Sequence, residues 1–159
     1  MMHMNVGAGA AQDVLAVNLT GVIRMSEDLK TLAQNMLKTR SVFYMATIDD
    51  GVPRVRPMTC LYADQFKVFT CSHRSTGKVQ QIMKNNQVEL CFMDDQNRLL
   101  RITGVAELYE DEKSWSMLPI NPHSMPMFED PDYLLIAIIP QEVRLTNDWS
   151  LDYKTIPLL

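Results

Sequence analysis

Apolar side chains at Leu29, Leu32, Ala33, Met36 and Leu37 fall at i, i+3, i+4, i+7 and i+8, which lays one apolar stripe along a helix. Ser26 supplies an N-cap hydroxyl, Glu27 and Asp28 face the positive end of the dipole, and Lys38 and Arg40 sit near the negative end. The pattern predicts a core-facing helix. Upstream the signal is weaker: Val14, Leu15, Val17 and Leu19 fit a short helix or an extended arm. Residues 1–25 are therefore read as an N-terminal extension without an assigned role, and 26–159 as the folded domain.

Beyond residue 40 the pattern turns to strands. Residues 41–49 are rich in β-branched and aromatic side chains, and Asp50-Gly51 is the favoured dipeptide of a two-residue hairpin turn. This predicts a second, antiparallel strand over 53–61. Ala63-Asp64-Gln65 makes another turn before a strand over 66–70, so three consecutive strands form a meander. A polar loop spans 72–77, and Val79, Ile82 and Met83 then suit a short helix over 78–85.

Strands over 88–93 and 99–109 flank the turn Asp94-Asp95-Gln96-Asn97, with Gly104 marking a bulge or a close backbone approach. Residues 111–118 suit a short helix. Pro119, Pro122, Pro126 and Pro131 then exclude regular structure. Residues 133–139 are apolar throughout and read as a buried strand, continued after Pro140 over 142–146. Six or seven strands with turn-rich connections favour a mainly β antiparallel barrel with flanking helices, which removes exposed edges.

A chain of 159 residues suits one domain. Its longest apolar stretch falls far short of the roughly 20 residues that a bilayer-spanning helix needs. The N-terminus has no basic n-region and is interrupted by Gln12, Asp13 and Asn18, so it makes a poor secretory signal, and the cytoplasm is the expected location. Cys60, Cys71 and Cys91 lack CxxC spacing and read as reduced, partly buried thiols. His3, His73 and His123 are scattered singly, so no protein metal site is expected.

The net charge of −4 argues against a nucleic-acid binder. Between residues 51 and 88, however, six bases (Arg54, Arg56, Lys67, Arg74, Lys78 and Lys84) face the single acid Asp64, which leaves that segment at +5. It is either a solvated basic face or a pocket for one small anion. Strand alternation puts Arg54 and Arg56 on one face, and two adjacent guanidiniums require an anion near at least one of them. The hydroxyls and backbone N–H groups of the loop 72–77, with Lys78 at a helix start, make an anion nest.

The runs ATIDDGVPRVRPM, VFTCSHRSTGKVQQIMKNNQVELCF, LLRITGVAELYED and PDYLLIAIIPQEVRL together resemble the pyridoxamine 5′-phosphate oxidase-like superfamily, in particular its small FMN-binding members of the general-stress-protein type. The resemblance runs from Leu29 to about Trp149 and implies a six-stranded antiparallel split β-barrel, an FMN cofactor and a homodimer. It places Arg56, Thr76 and Lys78 at the FMN phosphate and Thr70 at the end of the third strand. Pro57, Met58 and Thr59 follow Arg56 along the isoalloxazine, and Trp149 covers the ring from a partner subunit.

The departures matter too. Gly77 replaces the arginine of the family's Ser-Arg-Lys triplet, so Arg74 or Ser75 is the candidate for that role. Leu61 and Leu99 stand where the vitamin B6 oxidases have a lysine and a glutamine, which argues against pyridoxamine-phosphate oxidation.

The function implied is an FMN oxidoreductase passing hydride or electrons between a reduced nicotinamide and a small substrate, with the hard chemistry carried by the cofactor. The alternative is a flavin-storing or redox-sensing protein without turnover. Some relatives bind haem or a deazaflavin instead. No catalytic acid or base is legible, and His73 is as compatible with plain surface as with function. A half-open barrel encloses little of a three-ring ligand, and Met58, Leu61, Met125, Met127 and Phe128 exceed what one core needs or else fill irregular gaps, so a homodimer with shared sites is expected.

Overall fold

The computed structural model describes residues 28–38, 40–116, 118–121, 125–146 and 152–158. Ser26 and Trp149, assigned roles above, lie outside them, as does the extension 1–25. The predicted amphipathic stripe forms a helix, α1, over residues 28–35, and Ala33, Met36 and Leu37 are buried in the main core.

Among the described residues eight strands follow, all paired antiparallel: β1 (Val42–Asp49), β2 (Val52–Thr59), β3 (Tyr62–Asp64), β4 (Lys67–His73), β5 (Gln87–Met93), β6 (Leu99–Tyr109), β7 (Tyr133–Thr146) and β8 (Lys154–Thr155). Six of them are seven residues or longer, and β3 and β8 are short additions. Helix α2 (Gly77–Lys84) follows β4, and α3 (Glu112–Ser116) follows β6. A 3₁₀ turn, Pro126–Glu129, occupies part of the proline-rich segment read as irregular.

The sheet order is β2-β1-β5-β6-β7-β4-β3, with β8 on β7. The β1–β2 hairpin closes at Asp50 and Gly51, both with positive φ (48° and 84°), as the dipeptide predicts. The ladder between β6 and β7 shifts register between Thr103 and Gly104. Gly104 is required there because a Cβ would stand 2.4 Å from the Ile139 carbonyl oxygen.

One feature of the meander differs from expectation, and it creates the site. The second strand ends at Thr59; Cys60 N still donates to Ser41 O (2.9 Å), but Leu61 N donates across to Phe69 O (2.8 Å). The chain thus leaves β1 and, as β3, joins β4. Side-chain alternation cannot announce a change of hydrogen-bonding partner, so the sequence reads as one continuous strand. The main partner of β4 is β7, and β2 meets β4 only at a seam where Thr70 Oγ1 donates to Thr59 O (2.8 Å).

Inside, Phe43 stacks on Phe92 (centroids 4.9 Å apart) amid Met45, Leu90, Ile102, Ile136 and Leu145. Residues 134–138 of β7 are buried on both faces, because Leu135 packs outward under Trp115 and Leu118. That is why this strand is apolar without alternation. Met58 and Leu61, counted above as surplus for a dimer interface, are buried within the chain. The apolar side chains left in solvent are different ones, including Val42, Tyr44, Val55 and Met93.

Candidate functional site

An open cleft of about 360 Å³ lies over the seam. Pro57, Met58 and Thr59 form the β2 wall, Thr70 to His73 the β4 wall, and Thr76 and Lys78 the end where α2 begins. The volume is in the usual range for a small-molecule site.

Arg56 is fixed from behind. Its Nη1 donates to Met45 O (3.1 Å) and to Thr47 Oγ1 (2.7 Å), and its Nη2 donates to Gln81 Oε1 (2.9 Å). Thr47 in turn donates to Gln81 (2.6 Å). All of these partners are neutral. Among the described residues Lys78 Nζ donates only to Ser72 Oγ (3.2 Å), and Ser72 Oγ shares a 2.9 Å hydrogen bond with Thr76 Oγ1. Among the described residues no carboxylate lies within 4 Å of either cation.

Burial lowers the pKa of Arg56 below the ordinary arginine value. Burial also lowers that of Lys78, and proximity to Arg56 lowers it further. Thr76 is the N-cap of α2 with no side-chain cap, and no acid occupies the first turn. The unpaired N–H groups of that turn add positive potential beside the two cations.

The remaining candidates separate. Arg54 shares the face of Arg56 but is exposed and pairs with Asp49 (3.3 Å). Arg74 is engaged elsewhere: its two terminal nitrogens meet the two oxygens of Glu110, each at 3.1 Å, and its Nε lies 4.0 Å from Asp132. It therefore does not join Lys78 in the place of the missing triplet arginine, because acids distant in sequence draw it away. Ser75 turns to His73, with Oγ 2.7 Å from Nδ1. Thr70 spends its proton on the seam, and Pro57, Met58 and Thr59 line the cleft as expected of that segment.

Gln81, Thr47 and Ser72 were missed as site residues. Gln81 stands three residues after Lys78 and so on its helix face, a signal that was available. Tyr133 and Met127, which also line the cleft, carried none. The fold also brings His73, Asp130 and Asp132 within 4.8 Å of one another, a cluster invisible in the sequence. Nδ1 of His73 accepts the Ser75 N–H (3.2 Å), and Nε2 faces Asp130 at 3.9 Å and Asp132 at 4.0 Å.

The family described as pyridoxamine 5′-phosphate oxidase matches residues 29–147, more than half of the chain. The chain belongs to this family. No curated protein matches it. Among solved structures it is similar to a Clostridium acetobutylicum protein related to general stress protein 26 (23% identity, TM-score 0.71, covering 83% of this chain and 96% of that one). It is also similar to general stress protein 26 of Bacillus anthracis (20%, 0.67, 82% and 98%). An F420 reductase shares the fold (20%, 0.56, 69% and 94%). The fold is the mainly β antiparallel split barrel of this family. Among the described residues no helix is long and apolar enough to cross a membrane.

Proposed function

We propose that the chain is an FMN-binding flavoprotein that takes the cofactor's phosphate between Arg56, Lys78 and the first turn of α2. The observation that carries this reading is a pair of partly desolvated cations, Lys78 in the cleft and Arg56 near enough to lower its pKa, with no carboxylate among the described residues within 4 Å of either. Two such charges repel each other, and a phosphate dianion neutralises both through charge-assisted hydrogen bonds. Ser72 and Thr76 add hydroxyls, and Pro57, Met58 and Thr59 offer a wall to the ring system. The flavin supplies hydride and electron transfer, and the protein holds and orients it as an oxidoreductase between a reduced nicotinamide and a small substrate.

The reading includes a homodimer. Cross-strand register places Tyr44, Pro57 and Cys91 side by side on the outer face of β2-β1-β5, with Val42 beside Thr59 and Val55 beside Ala46. Val42, Tyr44 and Val55 are 58%, 51% and 66% exposed. Pro57 and Thr59 belong both to this apolar face and to the cleft, so a second copy docked on the face walls the open side of the cleft.

The test is an FMN titration of the purified protein, with the absorption spectrum recorded first. FMN binds stoichiometrically, and Arg56→Ala and Lys78→Ala each weaken it more than about tenfold, as expected for removing a charged partner worth roughly 1.5 to 3 kcal/mol. Unchanged affinity in both variants overturns the reading, and a deazaflavin or haem spectrum replaces the cofactor. A second reading, flavin storage or sensing without turnover, is favoured by one observation: His73, the histidine of the cleft, has both ring nitrogens engaged or facing carboxylates. Oxidation of NAD(P)H by the FMN-loaded protein separates the two.

A further inference from the structure

Beside the cleft, and sharing Tyr133 with it, lies a second cavity of about 540 Å³. Its walls are aromatic: Trp115 of α3 meets Phe128 of the 3₁₀ turn edge to face, with centroids 5.8 Å apart and planes at 77°. The charged groups among its described lining residues are acidic, namely Glu110, Glu129 and Asp130. Arg74 neutralises Glu110 through two 3.1 Å contacts. Among the described residues Glu129 has no basic group within 4 Å, and Asp130 faces only His73. The cavity therefore combines aromatic rings with uncompensated negative charge, the combination that attracts a flat cation through ring quadrupoles and Coulomb energy together. Its sign is opposite to that of the Arg56–Lys78 site.

We propose that this cavity is a subsite for a planar organic cation, a pyridinium or a protonated aromatic amine, held against Trp115, Phe128 and Tyr133 by Glu129 and Asp130. His73 of the cleft touches on Asp130 of the cavity, so an occupant of one lies next to an occupant of the other. That an occupant of the cleft is a flavin rests on the reading above, but the cation's binding does not.

The test uses the protein without FMN and three probes of one ring and different charge: the 1-methylnicotinamide cation, neutral nicotinamide and anionic nicotinate. Tryptophan fluorescence, read in a Trp149→Phe background, reports on the cavity through Trp115. The cation quenches saturably, with half-saturation roughly tenfold or more below that of nicotinamide, and nicotinate does not saturate. Glu129→Gln or Asp130→Asn raises the cation's half-saturation about fivefold or more, while Lys84→Ala, at the far end of α2, leaves it unchanged. Asparagine at 130 keeps the oxygen that accepts the Asp132 N–H (2.9 Å), so the loop retains its turn. Equal binding of the three probes, no saturation by the cation, or cation binding indifferent to both substitutions overturns the proposal. Failure of the flavin reading shows separately, as FMN affinity indifferent to Arg56 and Lys78.

Discussion

Arg56 donates from Nη2 to Gln81 Oε1 at 2.9 Å, and that oxygen also accepts from Thr47 at 2.6 Å. Two donors converging on one neutral acceptor fix the guanidinium without discharging it. Gln81→Ala should therefore loosen Arg56 and weaken FMN about fivefold, the size of one hydrogen bond of roughly 1 kcal/mol. Gln81→Glu should weaken it more than alanine does, because a carboxylate there would pair with Arg56 and compete with phosphate. Flavin fluorescence quenching measures both, and the reverse order would remove Gln81 from its positioning role.

Lys78 gives the site a pH signature. Its pKa is lowered in the free protein by burial and then by Arg56. Between that lowered value and the unfolded value the folded free protein holds fewer protons, so its stability rises with pH across that window. A bound phosphate raises the pKa again, so the complex holds more protons than the free protein. FMN affinity should fall as pH climbs through the lowered Lys78 pKa, earlier than an ordinary lysine would dictate. Calorimetry in buffers of different ionisation enthalpy should show proton uptake on binding, and Lys78→Met should abolish it.

Gly104→Ala tests the bulge. The added Cβ meets backbone, the Ile139 carbonyl oxygen at 2.4 Å, rather than a yielding side chain. Overpacking of this kind costs about 1 to 3 kcal/mol, and melting should fall by roughly 2 to 4 °C per kcal/mol. Thermal unfolding followed by circular dichroism checks it, and an unchanged midpoint would mean that the β6–β7 ladder gives way freely.

The thiols report on the cleft. Burial pushes Cys60 and Cys71 up to about 11, with Lys78 opposing the shift at Cys71, and burial also raises Cys91. All three should react slowly with a disulfide reagent near neutral pH and together after unfolding. Cys71 lines the cleft, so FMN should slow its modification and leave Cys91 unaffected. Mass spectrometry of the labelled peptides distinguishes them.

The sequence by itself determined the features held within a few neighbouring residues: the apolar stripe of α1, the Asp50-Gly51 hairpin, the close approach at Gly104, and Arg56 with Lys78 as candidate anion ligands. Helical and strand periods and turn chemistry are local, so they survive in a one-dimensional reading. Only the tertiary structure decided where the chain changes partner, at Cys60 and Leu61, and hence that β2 and β4 part over a cleft. It alone turned Arg74 to Glu110 and Asp132, set Gln81 and Thr47 behind Arg56, and brought Asp130 to His73. These are choices among many possible partners for a strand edge or a charge. They are settled by which packing buries the apolar face of the whole sheet, a sum over the chain that no single segment contains.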